Sequence, residues 1–183
     1  AVDPVESYFE YNLTADENGI FFFRSIDKVG NISETAQYEV DNIDKIAPEA
    51  PIVEVNSKSV TNQPVKLDAF FDTISGDVVS NQYSYTGNAD DRHDYTESLV
   101  FYENGKVYFR STDDVGNTSY REYTVDNIDT TAPAAPVVKN NNDGRITDEA
   151  IFVGAEFGKR EIEKIEYTIE GITWADFDPE QAI

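Results

Sequence analysis

The sequence predicts an all-β fold made of tandem β-sandwich domains, and three observations support that prediction. No segment keeps apolar residues at the 3.6-residue spacing of an amphipathic helix. Short runs of alternating apolar and polar residues dominate instead, and Gly, Asn, Asp or Pro bound them. A unit of about 85 residues recurs along the chain, which is typical of small sandwich domains in series and too long for helical solenoid repeats.

The recurrence is clearest in the back half of the unit. Residues 17–33 and 103–119 are identical at 11 of 17 positions, at an offset of 86. Residues 38–48 and 123–133 are identical at eight of 11 positions, at an offset of 85. One residue is therefore gained or lost in the hairpin that joins the two blocks.

The front half of the unit recurs more weakly. Two further blocks align, 60–72 with 146–158 and 83–95 with 165–177. The second alignment pairs Tyr85 with Tyr167. The repeat therefore divides the chain into three expected parts: the back half of one repeat at 1–45, a complete repeat at 46–131, and the front half of a third repeat at 132–183.

Alternation predicts six strands in the complete repeat, in the order 51–56, 64–71, 81–86, 98–102, 106–112 and 120–127. In the fifth strand we expect Val107, Phe109 and Ser111 to face the core, because alternate residues share one face of a strand. Tyr123 and Val125 form the inner face of the last strand. The matching inward residues one repeat earlier are Phe21, Phe23, Ser25, Tyr38 and Val40.

Two Asp-rich pentapeptides lie between the last two strands of each unit, at 27–31 and 113–117. Gly and Asn tolerate the positive φ that tight hairpins need, so the plainest interpretation is a β-turn capped by an Asp side chain. Asp113 and Asp114 are adjacent, which also makes them candidate cation ligands.

A second recurring motif ends each unit and leads into a proline-marked junction. Its candidate calcium ligands are Asp41, Asn42 and Asp44 at the first junction, and Asp126 and Asp129 at the second. Carboxylate and carbonyl oxygens are the ligands that calcium prefers. In a sandwich the preceding linker meets the loops at one end, which would bring Asp41 and Asp44 towards Asp72, Asp113 and Asp114. A calcium site with a dissociation constant of about 10⁻⁴–10⁻³ M and a solvated, proline-stiffened linker are the two interpretations.

Composition excludes several classes of function. The formal net charge is −22, which gives the chain no electrostatic reason to bind nucleic acid or an anionic membrane surface. No apolar run is long enough to insert into a membrane. The chain has no Cys and a single His, and it lacks a phosphate-binding loop or a nucleophile motif, so we expect it not to be an enzyme.

Aromatic residues leave a second function open. Five aromatic residues could stack against sugars: Trp174, Tyr83, Tyr85, Tyr95 and Tyr108. The chain would then be a carbohydrate-binding accessory module of a secreted enzyme, and the partner of that module would be a surface glycan. Alternating aromatics in a sandwich also serve as core residues and cross-strand pairs. The first interpretation requires that these rings share one exposed face.

The motifs resemble the Ig-like, or fibronectin III-like, tandem repeats of large bacterial surface and secreted proteins. The resemblance rests on ENGxxxFRSxDxVGNxS followed by YxVDNIDxxAPxAP, and it covers essentially the whole chain. The complete repeat departs from the family pattern by having Arg92 where Trp174 stands in the third copy. The resemblance implies non-catalytic spacer repeats of an adhesin stalk, surface layer or filament at the bacterial cell surface, some of them stiffened by calcium at the joints.

The two partial repeats carry an expectation of their own. Neither 1–45 nor 132–183 can cover its own inner face, and each leaves an open sheet edge. Neighbouring repeats of the same protein are the expected partners. Because the two parts together span one repeat, a second molecule could supply the missing half, and such a head-to-tail contact would assemble molecules into a filament.

Overall fold

The computed structural model describes residues 10–73, 77–158 and 162–177. The chain divides into two compact units, Ala1–Ile128 and Asp129–Ile183. The described residues form thirteen strands and one short 3₁₀ turn, and every strand pair is antiparallel. The prediction of an all-β protein is confirmed.

Within residues 10–73 and 77–128, the first unit contains nine strands and the 3₁₀ turn at Ala89–Asp91. The strands are β1 (Gly19–Phe23), β2 (Ala36–Val40), β3 (Ile52–Val55), β4 (Val65–Phe70), β5 (Val78–Ser84), β6 (His93–Asp94), β7 (Leu99–Phe101), β8 (Gly105–Asp113) and β9 (Thr118–Val125). The second unit contains β10 (Val137–Asn140), β11 (Val153–Glu156), β12 (Glu166–Tyr167) and β13 (Ala175–Asp176).

Two sheets enclose the core of the complete repeat, which we call the central repeat. One sheet has the strand order β3-β4-β7 and the other has the order β6-β5-β8-β9. Both sheets contribute to one buried apolar cluster, with Leu67 and Leu99 from the first and Val107, Phe109 and Val125 from the second. The central repeat is therefore sandwich-like, because two sheets share one core.

The predicted strands and inner face of the central repeat are largely confirmed. All six predicted strands are present, although β5 begins at Val78 and β6 was missed. Val107, Phe109 and Ser111 have no exposed surface, and Val125 is 2% exposed. β6 is only two residues long, which is too short for alternation to be recognised in a sequence.

Residues 10–45, called the first segment, form a hairpin that reproduces β8 and β9. β1 pairs with β2 in the register Gly19↔Val40, and β8 pairs with β9 in the register Gly105↔Val125. Adding 86 to the residue numbers of β1 and 85 to those of β2 gives the paired residues of β8 and β9. The repeated sequence therefore gives the same hairpin with the same pairing in both places.

Burial differs sharply between the two hairpins. Phe109 is fully buried, whereas its counterpart Phe23 is 50% exposed. Tyr123 packs against the core cluster, whereas its counterpart Tyr38 is 68% exposed. The sequences are alike at these positions, so the difference comes from the front strands, which cover β8 and β9 and have no counterpart over β1 and β2 among the described residues.

Residues 132–177, called the third segment, reproduce the front half of the central repeat. β10 pairs with β11 in the register Val137↔Glu156, which is the register Ile52↔Phe70 of β3 and β4 shifted by 85 and 86 residues. β12 pairs with β13 as β5 pairs with β6. Here too the inner face is open, since Val153 is 61% exposed and its counterpart Leu67 is fully buried.

One sequence alignment is wrong by two residues. Tyr167 lies opposite Ala175, in the position that Tyr83 takes opposite His93, so Tyr167 corresponds to Tyr83 and not to Tyr85. A backbone hydrogen bond agrees, because Phe177 donates to the carbonyl of Ile165 as Tyr95 donates to that of Asn81. The loop between these strands is two residues shorter in the third segment, and an ungapped alignment could not detect this.

Candidate functional site at the repeat joint

Asp113 is buried at the end of β8 and closes the hairpin turn. Its Oδ1 accepts hydrogen bonds from the backbone N–H groups of Val115, Gly116 and Asn117, and its Oδ2 accepts one from Asn117 Nδ2 at 2.8 Å. Gly116 has a φ of 99°, which a residue with a side chain rarely adopts. The Asp cap that the sequence predicted is therefore present.

These hydrogen bonds also set the acidity of Asp113. Burial would raise the pKa of its carboxyl, but the Asn117 side chain and the three backbone donors outweigh burial and lower that pKa below its ordinary value. Asp27 makes the equivalent bonds in the first segment, where Asn31 lowers its pKa. Because the Asp27 turn forms without a buried core around it, the cap is a local property of the pentapeptide.

The linker before the central repeat lies against strand β9. Asn117 Nδ2 donates to the carbonyl of Asp44 at 3.3 Å, and Ser119 Oγ donates to the carbonyl of Glu49 at 3.2 Å. Further along the strand, Arg121 Nε donates to the carbonyl of Pro51 at 3.0 Å. The linker therefore meets the β8–β9 hairpin, as the topology argument expected, and the turn residue Asn117 and two β9 side chains hold it.

A pair of hydrogen bonds, here called the Asn clasp, fixes the end of the central repeat. Asn104 Nδ2 donates to the carbonyl of Ile128 at 3.0 Å, and the Ile128 N–H donates to Asn104 Oδ1 at 2.8 Å. In the first segment Asn18 forms the same two bonds with Ile43, both at 2.9 Å. Sequence reasoning missed this clasp, although the recurrence of Asn18 and Asn104 in the Glu-Asn-Gly motif was a usable signal.

The junction motif has a structural role inside the central repeat. Ile128 is 7% exposed and belongs to the core cluster. Asn127 Nδ2 donates to the carbonyls of Ser57 and Ser59, and its own carbonyl accepts a hydrogen bond from the backbone N–H of Thr61. Asn127 and Ile128 therefore close the repeat by joining the segment after the last strand to the loop between β3 and β4.

The candidate calcium ligands have different surroundings. Asp113 is engaged by its own turn, whereas Asp41, Asp114 and Asp126 are exposed. Asp44 and Asp129 each cap a turn, accepting hydrogen bonds from the backbone N–H groups two residues ahead. Asn42 is exposed and Asp72 is half-buried. Within residues 10–73, 77–158 and 162–177, no three acidic, His or Cys side chains form a group that could hold a metal ion.

The aromatic residues named as a sugar platform that lie in the central repeat do not share one exposed face. Tyr83 and Tyr95 belong to a ring cluster with Phe71 and Phe109 and pack against the core. Tyr85 is 46% exposed at a groove of about 550 Å³ that Tyr102, Glu103 and Lys106 also line. Tyr108 is half-buried in the central repeat, and Trp174 is exposed in the second unit. Sequence reasoning did not select Tyr102, which is 73% exposed.

A serine, a carboxylate and a histidine lie together at Ser84, Asp91 and His93, but the carboxylate lies between the other two, and this arrangement does not activate the serine. Ser84 Oγ is buried and donates to Asp91 Oδ2 at 3.1 Å, and His93 Nε2 lies 3.4 Å from Asp91 Oδ1. A nucleophilic serine needs a base that accepts its proton, with the carboxylate behind that base. Here the carboxylate contacts the serine directly and serves as a turn cap.

Acid is expected to destabilise the central repeat through these capped carboxylates. The backbone N–H of Thr86 is the main cause that lowers the pKa of Asp91 to about 2, with Ser84 and Tyr85 as further donors, from an ordinary value of 3.8. A lowered folded-state pKa stabilises the fold above about pH 4, and this stabilisation is lost as the pH falls towards 2. Thermal unfolding followed by circular dichroism between pH 7 and pH 2 measures the loss.

Asp91→Asn isolates this contribution from the general effect of acid. Protonation also relieves repulsion in a chain of net charge −22, so the wild type alone would mix two opposite effects. We expect Asp91→Asn to have a melting temperature that falls less steeply below pH 4. Asp27→Asn, in the exposed turn of the first segment, should leave the melting of the central repeat unchanged. Equal pH slopes for wild type and Asp91→Asn would contradict this assignment.

Comparison with known proteins does not identify a family. No protein-family model matches the chain, and the comparison with curated proteins finds no match either. Among the helical segments of the described residues, none has the length and apolar character needed to cross a membrane.

Proposed function

We propose that this chain is a set of non-catalytic Ig-like spacer repeats from an extracellular bacterial surface protein, such as an adhesin stalk, surface layer or filament. Each sandwich acts as a rigid body, and each joint sets the reach and stiffness of the array. The resemblance of the repeat motifs supports this function.

The observation that carries the proposal is the linker held on strand β9. A flexible connection would leave consecutive repeats free to reorient, as in Gly/Ser-rich linkers. Here Pro48 and Pro51 are both buried in the linker, and Asn117, Ser119 and Arg121 hold its carbonyls. The joint therefore transmits orientation from one repeat to the next, which is what a spacer needs.

Removing the linker contacts should release the first segment. The triple variant Asn117→Ala, Ser119→Ala, Arg121→Ala loses all three side-chain donors and is expected to let the two parts tumble separately. Amide ¹⁵N relaxation measures this, because β1–β2 and β8–β9 should share one rotational correlation time in the wild type. In the variant the correlation time of β1–β2 should fall. Equal correlation times in wild type and variant would contradict a stiff joint held by these contacts.

Calcium stiffening of the joints remains part of the proposal. Asp41, Asp44, Asp72 and Asp114 lie in the linker and loops of this end, but the described geometry does not assemble a ligand set. Millimolar calcium should bind weakly and, in the triple variant, raise the correlation time of β1–β2 back towards that of β8–β9 if the exposed carboxylates close around it. Calorimetry and relaxation with calcium or a chelator provide the test. If neither changes, the joint is a proline-stiffened linker without a metal.

Glycan binding is the second candidate, and the groove at Tyr85 and Tyr102 favours it. Two exposed aromatic rings beside Glu103 and Lys106 combine stacking surfaces with polar groups, as sugar sites do. Affinity electrophoresis in gels containing cell-surface polysaccharides would detect binding. Tyr102→Ala should abolish a retardation that Tyr120→Ala leaves intact, since Tyr120 is 57% exposed and does not line the groove. If no polysaccharide retards the protein, glycan binding is rejected and the spacer function is the only candidate that stands.

A further inference from the structure

We propose that Asn104 is a site of spontaneous deamidation, and that this modification breaks the Asn clasp and loosens the end of the central repeat. The reactants are the chain itself and water. The inference is independent of the proposed function, because it concerns the chemistry of one peptide bond and one pair of hydrogen bonds. The residue that closes the central repeat is, on this proposal, also a residue prone to an irreversible chemical change.

Glycine directly follows the asparagine of the clasp. Among all the asparagines of the chain, only Asn18 and Asn104 precede a glycine, and both of them form the clasp. Glycine has no Cβ, so its backbone nitrogen is open to the preceding side chain and its backbone can adopt the conformation that ring closure requires. Asparagine is a thermolabile residue, and a following glycine removes the steric barrier to loss of its amide.

The reaction at this dipeptide needs no other protein group. The backbone nitrogen of Gly105 attacks Cγ of Asn104, its proton passes to the side-chain nitrogen, and that nitrogen leaves as ammonia. Water then opens the resulting five-membered imide at one of its two carbonyl carbons, which gives an aspartate or an isoaspartate. The net change is the loss of NH₃ and the gain of H₂O, which raises the mass by about 1 Da.

The Asn clasp controls the rate of this reaction at an otherwise accessible position. Asn104 is exposed, and with Gly105 it lines the groove beside Tyr102, so water reaches the dipeptide. The two hydrogen bonds of the clasp, at 3.0 and 2.8 Å, occupy both Nδ2 and Oδ1. Ring closure requires the side chain to rotate towards the Gly105 nitrogen. The clasp must therefore open first, and the rate is the intrinsic rate multiplied by the open fraction.

Deamidation removes the donor that the clasp needs. A carboxylate has only acceptor oxygens, so one oxygen can still accept from the Ile128 N–H while the other faces the Ile128 carbonyl. That carbonyl belongs to a residue that is 7% exposed, and it loses its partner. An isoaspartate also adds a carbon to the main chain beside the Gly105↔Val125 pair of β8 and β9. Neither product re-forms both hydrogen bonds, so the change acts in one direction.

Ageing the intact chain tests the chemistry. The chain is incubated in warm, mildly alkaline buffer and mapped at intervals by peptide mass spectrometry. Asn104 should convert to aspartate and isoaspartate, whereas Asn88, an exposed asparagine that precedes Ala89, should keep its amide over the same period. Conversion of Asn104 should be about tenfold or more slower in the folded chain than in guanidinium chloride, because the clasp must open first.

Two variants separate ring closure from opening of the clasp. Gly105→Ala should slow conversion about tenfold or more, because a Cβ hinders the attacking nitrogen. That Cβ would lie 3.3 Å from Phe101 Cε1, so the ring has to shift slightly while the clasp stays in place. Phe109→Ala weakens the core cluster to which Ile128 belongs. It should accelerate conversion of Asn104 and leave the rate at Asn18 unchanged.

Asn104→Asp reproduces one product without ageing and tests the effect on the fold. It should raise the equilibrium constant for unfolding of the central repeat about 10- to 100-fold in neutral solution, because a buried carbonyl loses its donor. Asn88→Asp adds the same charge outside the clasp and should leave that constant unchanged. The aspartate form of the aged chain, separated by anion exchange, should unfold at the same denaturant concentration as Asn104→Asp.

Three outcomes would overturn the inference: a folded chain that keeps Asn104 while the unfolded chain converts it completely, equal conversion at Asn88 and Asn104, or an Asn104→Asp variant as stable as the wild type. The first two would show that the site is inert or unselective, and the third that the clasp survives loss of the amide. None of them would affect the spacer function, which the relaxation experiment tests at the linker.

Discussion

Replacing Phe109 by alanine is expected to lower the free energy of unfolding of the central repeat by about 3–5 kcal/mol. Phe109 has no exposed surface, and it packs edge-on against Phe71 and Tyr95 between the two sheets. Removing the ring loses its transfer free energy and leaves a cavity between rigid strands. Small domains have only about 5–15 kcal/mol of stability, so the loss should be evident in urea unfolding followed by circular dichroism.

The matched control for this change is Phe23→Ala, at the equivalent position of the first segment. The same residue type sits in the same strand register there, but its side chain is 50% exposed. We expect the unfolding midpoint of the central repeat to be unchanged in dilute solution. Comparable destabilisation by the two variants would mean that Phe23 is covered in the dilute molecule, which would contradict the open face described for β1 and β2.

The second large effect should come from the Asn clasp. Asn104→Ala removes both hydrogen bonds to Ile128 and leaves the N–H and C=O of a buried residue without their partner. The expected loss of stability is about 2–3 kcal/mol, because unsatisfied buried polar groups cost more than the hydrogen bonds themselves contribute. Chemical denaturation measures the loss, and hydrogen exchange at the Ile128 amide should accelerate in parallel.

Asn18→Ala is the control for the clasp. It deletes the same two hydrogen bonds, to Ile43, in a segment that contributes nothing to the core of the central repeat. Its effect on the unfolding of the central repeat should be below about 0.5 kcal/mol, as for surface substitutions in general. If Asn104→Ala lowered the free energy of unfolding as little as Asn18→Ala, the junction motif would be held by the burial of Ile128 and not by the Asn clasp.

The sequence predicted the all-β class and the strands of the central repeat well because two local rules determine most of them. Alternation determined the inner face of β8, and the Asp-Gly-Asn chemistry determined the turn after it. Both rules depend only on residues close together in the chain, so both can be applied to a single sequence. The match between the first segment and the central repeat then extended the prediction to β1 and β2.

The parts that were missed depend on contacts between distant residues. Asn104 reaches Ile128 across 24 positions, and β9 holds a linker some 70 positions earlier. The exposure of Tyr102 depends on how the loop after β7 packs, which alternation does not describe. The error at Tyr167 came from a two-residue difference in loop length, which leaves no trace in composition or charge.

The Asp-capped turn has a consequence for how an array of such repeats folds. In both hairpins the carboxylate contacts donors within four residues, and the turn at Asp27 keeps its bonds without a core around it. Contacts this local cost little loop-closure entropy, so we expect the hairpin to nucleate folding, with Asp113→Asn slowing refolding in stopped-flow measurements more than it accelerates unfolding. Since the first segment and the central repeat form hairpins with the same register and the same Asp-capped turn, nucleation inside each repeat would pair each strand within its own hairpin. The strand would then be paired before it could exchange with the equivalent strand of a neighbouring repeat.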